Sequence, residues 1–435
     1  MRRLPTGPRS TILTTAAYLR DPYGSILRAY ARYGEPYGSP SFLGRMVVTG
    51  HPDGIRTVFT ADPTGYDALG ANLLAPVLGR SNVIILGGEE HRAKRKLLMP
   101  PFHGERMRAY GELITEIAAS RAGQWRAQEP IAMHRTMQEI SLEVILQSVM
   151  GLSTPEQQRP FRDAVLGVIG ALKPSFMFMP MLRREALGLS AWARFQRRRQ
   201  EVLELFEEEL AMRRARPAAR DDILSLLLEA RQDDGAPLTT EDLVTQMINL
   251  VVAGHETTAS SLAWALEFIH RDPAVAERLT TEVRSLPSPA DPEAVARLPY
   301  LEAVCHETLR INPIAPMIGR TLRRPLTLSG VSLEPGDTVG VAIIVCHRRP
   351  ELYPAPERFL PDRFLERSYS PFEFMPFGGG ARRCLGAAFA LYEMKLVLAT
   401  ILRRCALRLA SSTPSGAAAR NTTVGPAREI VMQLA

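Results

Sequence analysis

The sequence predicts a mainly α-helical protein with small β-sheets, built as one large domain of 435 residues. Three observations carry this. From about residue 90 to 310, apolar residues recur at the three- and four-residue spacing of amphipathic helices. Strand signals are confined to a piece near residue 46, to residues 320–345 and to the C-terminus. No Ser/Gly-rich or low-complexity linker and no internal repeat divides the chain. The β-rich part (about 20–60, 320–345 and the C-terminal strands) and the helical part (about 90–310 and 386–404) are therefore read as one unit over residues 1–435.

Up to about residue 60, short helical patterns surround the strand-like Met46-Val47-Val48-Thr49-Gly50. A long helix is expected from about Thr240 to His270. Thr240 is its expected N-cap, Glu241 and Asp242 fall in its first turn, and Asp272-Pro273 marks its end. Leu326-Thr327-Leu328 and Val331-Ser332-Leu333 flank Ser329-Gly330, a hairpin signal, and Glu334-Pro335-Gly336-Asp337 is a second turn. Residues 346–376 are rich in Pro and Arg, with little periodicity. A helix is expected from Gly386 through Leu402, followed by strands around a turn.

An apolar content of 46% is ample for a large core. The net charge of +7 is spread along the chain without a recognition motif, which argues against nucleic-acid binding. Cys305, Cys346, Cys384 and Cys405 form no C-x-x-C pair, which points to a reducing compartment without disulfides. Cys305 and Cys405 sit in helical patterns and read as buried packing residues. The N-terminal segment Met1-Arg2-Arg3-Leu4-Pro5-Thr6-Gly7-Pro8-Arg9 has no apolar run, so neither a secretory signal nor a membrane anchor is expected.

The most specific run is Phe377-Gly378-Gly379-Gly380-Ala381-Arg382-Arg383-Cys384-Leu385-Gly386. It places a cysteine in a glycine-rich loop, after arginines and before an apolar helical pattern. Free N–H groups at a helix start and nearby arginines favour a thiolate. Glycines let a backbone approach a flat ligand that a β-carbon would obstruct. A thiolate open on one side suits axial ligation of haem iron, where it donates electron density. A lone G-G-G or a lone cysteine would be an ordinary loop before a helix; the spacing F-x-x-G-x-R-x-C-x-G is far more specific.

Three further motifs stand out. Ala253-Gly254-His255-Glu256-Thr257-Thr258 falls inside the long helix, where Gly, two threonines and an acid are poor helix formers. Such a conflict marks function, although a threonine can also bond back to its own helix. Glu307-Thr308-Leu309-Arg310 sets an acid and a base three apart on one face, a pair that is common and weak when exposed. His91 and Arg95, four apart on one face, would by themselves read as a solvated basic helix surface.

With Pro361-Asp362-Arg363-Phe364, these motifs run in order from His91 to Cys384, and the chain resembles the cytochrome P-450 family, the haem-thiolate monooxygenases. The resemblance implies a P-450-type fold holding one haem b between the long distal helix and the cysteine-loop helix. Cys384 would be the axial thiolate to the iron, with Phe377 and Gly386 completing its loop. Gly254 would let the distal helix open to dioxygen, Thr257 would hydrogen-bond the oxygen or a water beside it, and Glu256 would relay protons as a general acid. His91, Arg95, Arg320 and Arg382 would hold the haem propionates, with His347 as a further contact. Glu307 and Arg310 would form a buried structural triad with an arginine of the Pro-rich segment. Arg358 and Arg363 have similar surroundings; Arg363, nearer Cys384, is the choice. His255 reads as a satisfied helix residue.

By the same resemblance the substrate pocket draws on Leu69, Leu73, Leu74 and Val77, then Val252 and Ala253. Further pieces are Ile314, Ala315, Pro316 and Met317, and Thr423, Val424 and Gly425. Phe176-Met177-Phe178-Met179-Pro180-Met181 falls where the family has a mobile lid; Phe176 and Phe178 are its candidate contacts, against plain core packing. An elongated lipophile such as a fatty acid is favoured, with terpenoids, steroids and macrolides close behind. The expected reaction is hydroxylation or epoxidation. Its electrons come from NAD(P)H through a ferredoxin or flavodoxin with its reductase, since the chain carries no reductase domain or iron–sulfur cysteine cluster. Arg92, Lys94, Lys96, Arg403 and Arg404 are candidate docking charges for this acidic partner, or ordinary solvated ones. The other readings are a peroxide-using or isomerising haem-thiolate enzyme and a non-catalytic haem sensor. Neither needs the relay of Glu256 and Thr257. A monomer in the cytoplasm is expected.

Overall fold

The computed structural model describes residues 5–42, 44–102, 106–173, 176, 182–184, 188–216, 220, 222–420 and 423–435. The chain is mostly helical with small sheets. Its central element is the helix Thr240–Arg271, 32 residues and about 48 Å long at 1.5 Å per residue. Its N-cap is Thr239, not Thr240: Thr239 keeps an extended backbone and its hydroxyl accepts the Asp242 N–H at 3.1 Å. The helix ends at Asp272, whose carboxylate accepts from Ala274 and Val275 and so starts the next helix, Pro273–Arg284.

Residues 20–60 hold more helix than the sequence reading assigned them. Asp21 and His51 cap helices Pro22–Tyr33 and Pro52–Thr60, each opening on a proline whose missing N–H is no loss there. Between them, Tyr37–Ser41 and Gly44–Thr49 form a hairpin. Gly44–Thr49 also pairs in parallel with Thr338–Val341, Met46 opposite Thr338. Ile318–Leu322 and then Tyr66–Ala68 complete this five-stranded sheet. The sheet thereby fixes Arg320 opposite Ala68. The Leu326–Leu328 and Val331–Leu333 hairpin turns through Ser329 (φ 49°) and Gly330 (φ 80°), the left-handed pair that such two-residue loops need.

Helix Ala387–Arg404 is buried along most of its length and packs on Thr240–Arg271. Helix Met133–Met150 flanks the same long helix. Near the middle of the long helix these elements leave a cavity. The C-terminal strands Ala417–Arg420 and Thr423–Pro426 pair antiparallel, and the Val424 N–H donates to the Ile314 carbonyl at 2.8 Å.

Candidate active site

Cys384 lies in the loop before helix Ala387–Arg404, and its N–H donates to the Phe377 carbonyl at 3.0 Å. Phe377 thus holds the loop through its backbone, while its ring packs on the core. Gly380 has φ +65°, and a Cβ there would meet the Phe59 carbonyl oxygen at 2.3 Å. A Cβ on Gly379 would meet the Phe59 ring at 2.2 Å. Gly379 and Gly380 therefore fit the loop onto helix Pro52–Thr60. Gly386 differs: a Cβ there would meet nothing within 4 Å, and it borders the cavity.

The cavity measures about 450 Å³. Arg382, Arg383, Cys384, Leu385 and Gly386 form one side of it, and Asn249, Ala253, Gly254 and Thr257 of the long helix also line it. Cys384 keeps accessible surface where it borders this space. Burial pushes its thiol up; the Gly386 N–H and the charges of Arg95 and Arg383 pull it down without prevailing. The thiolate expected of Cys384 is the form that a coordinating metal cation imposes on such a ligand.

His91, Arg95, Arg320 and Arg382 line the same cavity. His91 and Arg320 are buried. Burial, then the charges of Arg382, Arg95 and Arg320, hold the His91 imidazole neutral, at about 4. Burial and the facing Arg320 charge bring Arg382 down to about 10. Arg382 donates to the carbonyls of Ile84 (3.2 Å) and Leu86, and Arg320 lies over the Tyr66 ring at 5.5 Å. Among the described residues none of Arg95, Arg320 and Arg382 forms an ion pair. Three guanidiniums on one cavity, with no ion-pair partner of their own and the nearby Asp67 carboxylate engaged by Arg323, are a ready site for an anionic group. His347 is not part of it. Its Nε2 accepts the Met375 N–H at 3.1 Å, and its ring stacks on Phe374.

On the long helix, Thr257 borders the cavity, and its hydroxyl donates to the Ala253 carbonyl at 2.8 Å. A Cβ on Gly254 would meet Ile145 Cδ1 at 2.8 Å, so this glycine admits helix Met133–Met150 to close packing. Glu256 does not line the cavity. Its Oε2 accepts from Gln138 Nε2 at 2.7 Å, and its Oε1 lies 3.8 Å from His134 Nε2 and 3.9 Å from Arg420 Nε. Burial raises its pKa, with Gln138 and Arg420 opposing. Glu256 thus lies on the long helix next to Thr257 in sequence, with its carboxylate turned toward a half-exposed arginine. His255 is buried, held neutral by burial at about 4, and neither ring nitrogen completes a hydrogen bond. It is not the satisfied residue expected.

Glu307, Arg310 and Arg363 are all buried. Arg310 makes a fork on Glu307, Nε to Oε2 at 2.6 Å and Nη2 to Oε1 at 2.9 Å. Arg363 Nε donates to Glu307 Oε1 at 3.1 Å, as does the Leu360 N–H at 2.8 Å. Arg358 offers only its carbonyl, to Arg310.

The substrate-pocket candidates separate. Leu69, Leu74 and Ala253 line the cavity. Leu73, Val77, Val252, Ile314, Ala315, Met317 and Val424 are not among its lining residues. Val77 and Val424 are buried in the core. The Leu73 carbonyl accepts from Arg183. Phe176 packs edge-on against Trp192 at 5.4 Å and tilted to Phe195 at 6.2 Å, which is core packing. Phe178 lies outside the described residues. Of the candidate docking charges, Lys94 pairs with Asp242 at 2.9 Å and Arg403 donates to the carbonyls of Val283, Leu286 and Pro287. Cys405 is half-buried at a helix end, less enclosed than expected. The sequence reading missed Asn249, Ile145 and Val149, which also line the cavity. Asn249 was findable as the residue four before Ala253 and eight before Thr257, on one helix face.

A family model described as cytochrome P450 matches residues 7–424. Cytochrome P450 135B1 of Mycobacterium tuberculosis is 38% identical over 420 residues, covering 95% of this chain and 87% of that protein. Cytochrome P450 135A1 of the same organism is 32% identical over 434 residues, covering 97% and 93%. The solved structure of retinoic acid-bound cyanobacterial CYP120A1 superimposes with a TM-score of 0.88 at 25% identity, covering 100% of both chains.

Proposed function

The chain belongs to the cytochrome P450 family of haem-thiolate monooxygenases, and on that premise we propose that it hydroxylates or epoxidises an elongated lipophilic small molecule, a fatty acid before a terpenoid, steroid or macrolide. The observation that carries this reading is the meeting of Cys384, the unpaired guanidiniums and Thr257 on one cavity whose remaining lining is mostly apolar.

The residues fit a haem b. Cys384 would ligate its iron, Gly386 would border its face, and Arg95, Arg320, Arg382 and neutral His91 would take its propionates. When bound, the haem supplies dioxygen activation: one oxygen atom enters the substrate and the other leaves as water, with two electrons and two protons consumed. Thr257 holds a hydroxyl at the cavity wall. Glu256, whose protonated form burial favours, feeds protons toward it from the side of Arg420 and His134. Glu307, Arg310 and Arg363 position the cysteine loop.

Apolar lining from Leu69, Leu74, Ile145, Val149 and Leu250 favours a lipophile. The cyanobacterial neighbour binds retinoic acid, itself an elongated apolar acid. Electrons come from NAD(P)H through a ferredoxin or flavodoxin with its reductase. Arg92, Lys96 and Arg404 are exposed and are the docking charges left accessible, Lys96 paired with the equally exposed Asp233 at 2.7 Å and Arg92 3.9 Å from Glu89. The enzyme is a cytoplasmic monomer; among the described residues no helix is long and apolar enough to cross a membrane.

The test is a spectral titration of the haem-loaded protein with fatty acids, terpenoids, steroids and macrolides, followed by turnover with a ferredoxin and its reductase. A low- to high-spin Soret shift and a product one oxygen heavier are expected for an elongated lipophile. A full haem complement with no shift across the panel contradicts the reading.

A further inference from the structure

We infer that Asn249 is a specificity residue: its carboxamide recognises an uncharged hydrogen-bonding group, a hydroxyl or carbonyl, on the lipophilic substrate. The inference rests on the monooxygenase reading and narrows its panel: at this level of the cavity a neutral oxygenated lipophile is favoured over the ionised carboxylate of a fatty acid.

Asn249 lines the cavity, as do Ala253 and Thr257, four and eight residues further along the same helix face. Among the described residues its side chain forms no hydrogen bond. Its neighbours on the cavity wall, Leu250 and Ala253, are apolar, as are Leu74, Ile145 and Val149 from other helices. A purely apolar ligand covering this amide would strip its water and return nothing, which is the condition under which a site rejects analogues lacking a polar group.

The charge pattern sets the chemical class. Arg95, Arg320, Arg382 and Arg383, the arginines that line the cavity, belong to the cysteine loop or to the cation cluster beside it. The Asn249 stretch contributes no cation, so it binds by hydrogen bonding and not by charge. A carboxamide both donates and accepts, and thus serves a hydroxyl or a carbonyl equally. The helix also acts as a ruler. Eight residues separate Asn249 from Thr257, about 12 Å along the axis. The recognised group therefore sits about two turns from the level of Thr257, and the oxidised carbon lies that far along the substrate from its polar group.

The experiment compares 1-dodecanol with n-dodecane. Both are titrated into the haem-loaded wild type, Asn249→Leu and, as a second variant, Asn249→Ala, by Soret spin shift and by calorimetry. One neutral hydrogen bond predicts that dodecanol binds wild type more tightly than dodecane, and that either variant weakens dodecanol about three- to tenfold. Dodecane should bind the variants as well as or better than wild type. Equal losses for both ligands, or unchanged dodecanol affinity in variants of normal haem content, would overturn the assignment. Wild type that shows thiolate-ligated haem but binds neither probe would overturn the lipophile reading, and this inference with it.

Discussion

Arg363 Nε rests 3.1 Å from Glu307 Oε1, although the two residues lie 56 positions apart in the chain. The same carboxylate oxygen accepts the Leu360 N–H, and the fork of Arg310 completes a buried knot that also grips the carbonyls of His347, Pro356 and Arg358. The knot ties the helix Pro299–Ile311 to the irregular segment leading to the cysteine loop.

Removing one partner strands the others in a dry interior, at a cost of about 3–5 kcal/mol. Glu307→Ala is expected to yield mostly haem-free or aggregated protein. Arg363→Ala should lower the melting temperature more than Arg358→Ala, since Arg358 contributes only backbone. Normal haem content with lost turnover in Glu307→Ala would contradict the structural role.

Much of this was legible in the sequence, for identifiable reasons. The Cys384 loop, Glu307/Arg310 and the long helix are local patterns, fixed by spacing along one element. Arg363 was separable from Arg358 only by its distance from Cys384, yet the choice matches the contact with Glu307. What spacing cannot show is which way a side chain turns. Glu256 and Thr257 are adjacent, but the helix sends one to Gln138 and the other to the cavity. Ile145 enters the site from a separate helix, and no local signal announces it. Phe176 sits in an apolar run that reads equally as lid or core, and its partners Trp192 and Phe195 decide for core. The glycines before Cys384 answer to Phe59, more than 300 residues away in the chain.

Thr257→Ala should separate oxygen activation from electron input. The lost hydroxyl now bonds the Ala253 carbonyl, which any residue can leave to the helix, so folding is expected to be unaffected. Haem content, substrate spin shift and NADPH consumption should stay near wild type. Product per NADPH should fall and hydrogen peroxide should rise in parallel. Unchanged coupling would remove Thr257 from proton delivery.

Arg95→Gln tests the cation cluster. Arg95 has no ion-pair partner among the described residues, so its loss should spare or slightly raise the stability of the haem-free protein by easing repulsion of Arg383. Haem retention should suffer, with transfer to a haem scavenger accelerated about tenfold, the worth of one charge-assisted hydrogen bond. Equal haem loss from wild type and variant would show that Arg95 holds no propionate.

Glu393, on helix Ala387–Arg404, is fully buried, and neither carboxyl oxygen completes a hydrogen bond. Burial pushes its carboxyl from 4.5 up to about 8, with the Ser141 hydroxyl pulling the other way. The native state therefore keeps a proton that the unfolded chain gives up above pH 4.5, and unfolding releases it between those values. Stability should fall as pH rises from about 4.5 to about 8 and level off beyond. Glu393→Gln should flatten that slope, so melting temperatures compared at pH 5 and pH 8 should shift in favour of the variant at the higher pH. Parallel profiles for the two proteins would mean that Glu393 does not set the slope.

Cys384 as the iron ligand is the central claim, and the ferrous carbon-monoxide spectrum reads that bond directly. Reduced wild type under carbon monoxide should show the long-wavelength Soret band of thiolate-ligated haem. Cys384→His, loaded with haem to the same extent, should show only the shorter-wavelength band of histidine ligation. A long-wavelength band that persists in Cys384→His, or one that is missing from fully loaded wild type, would contradict the assignment.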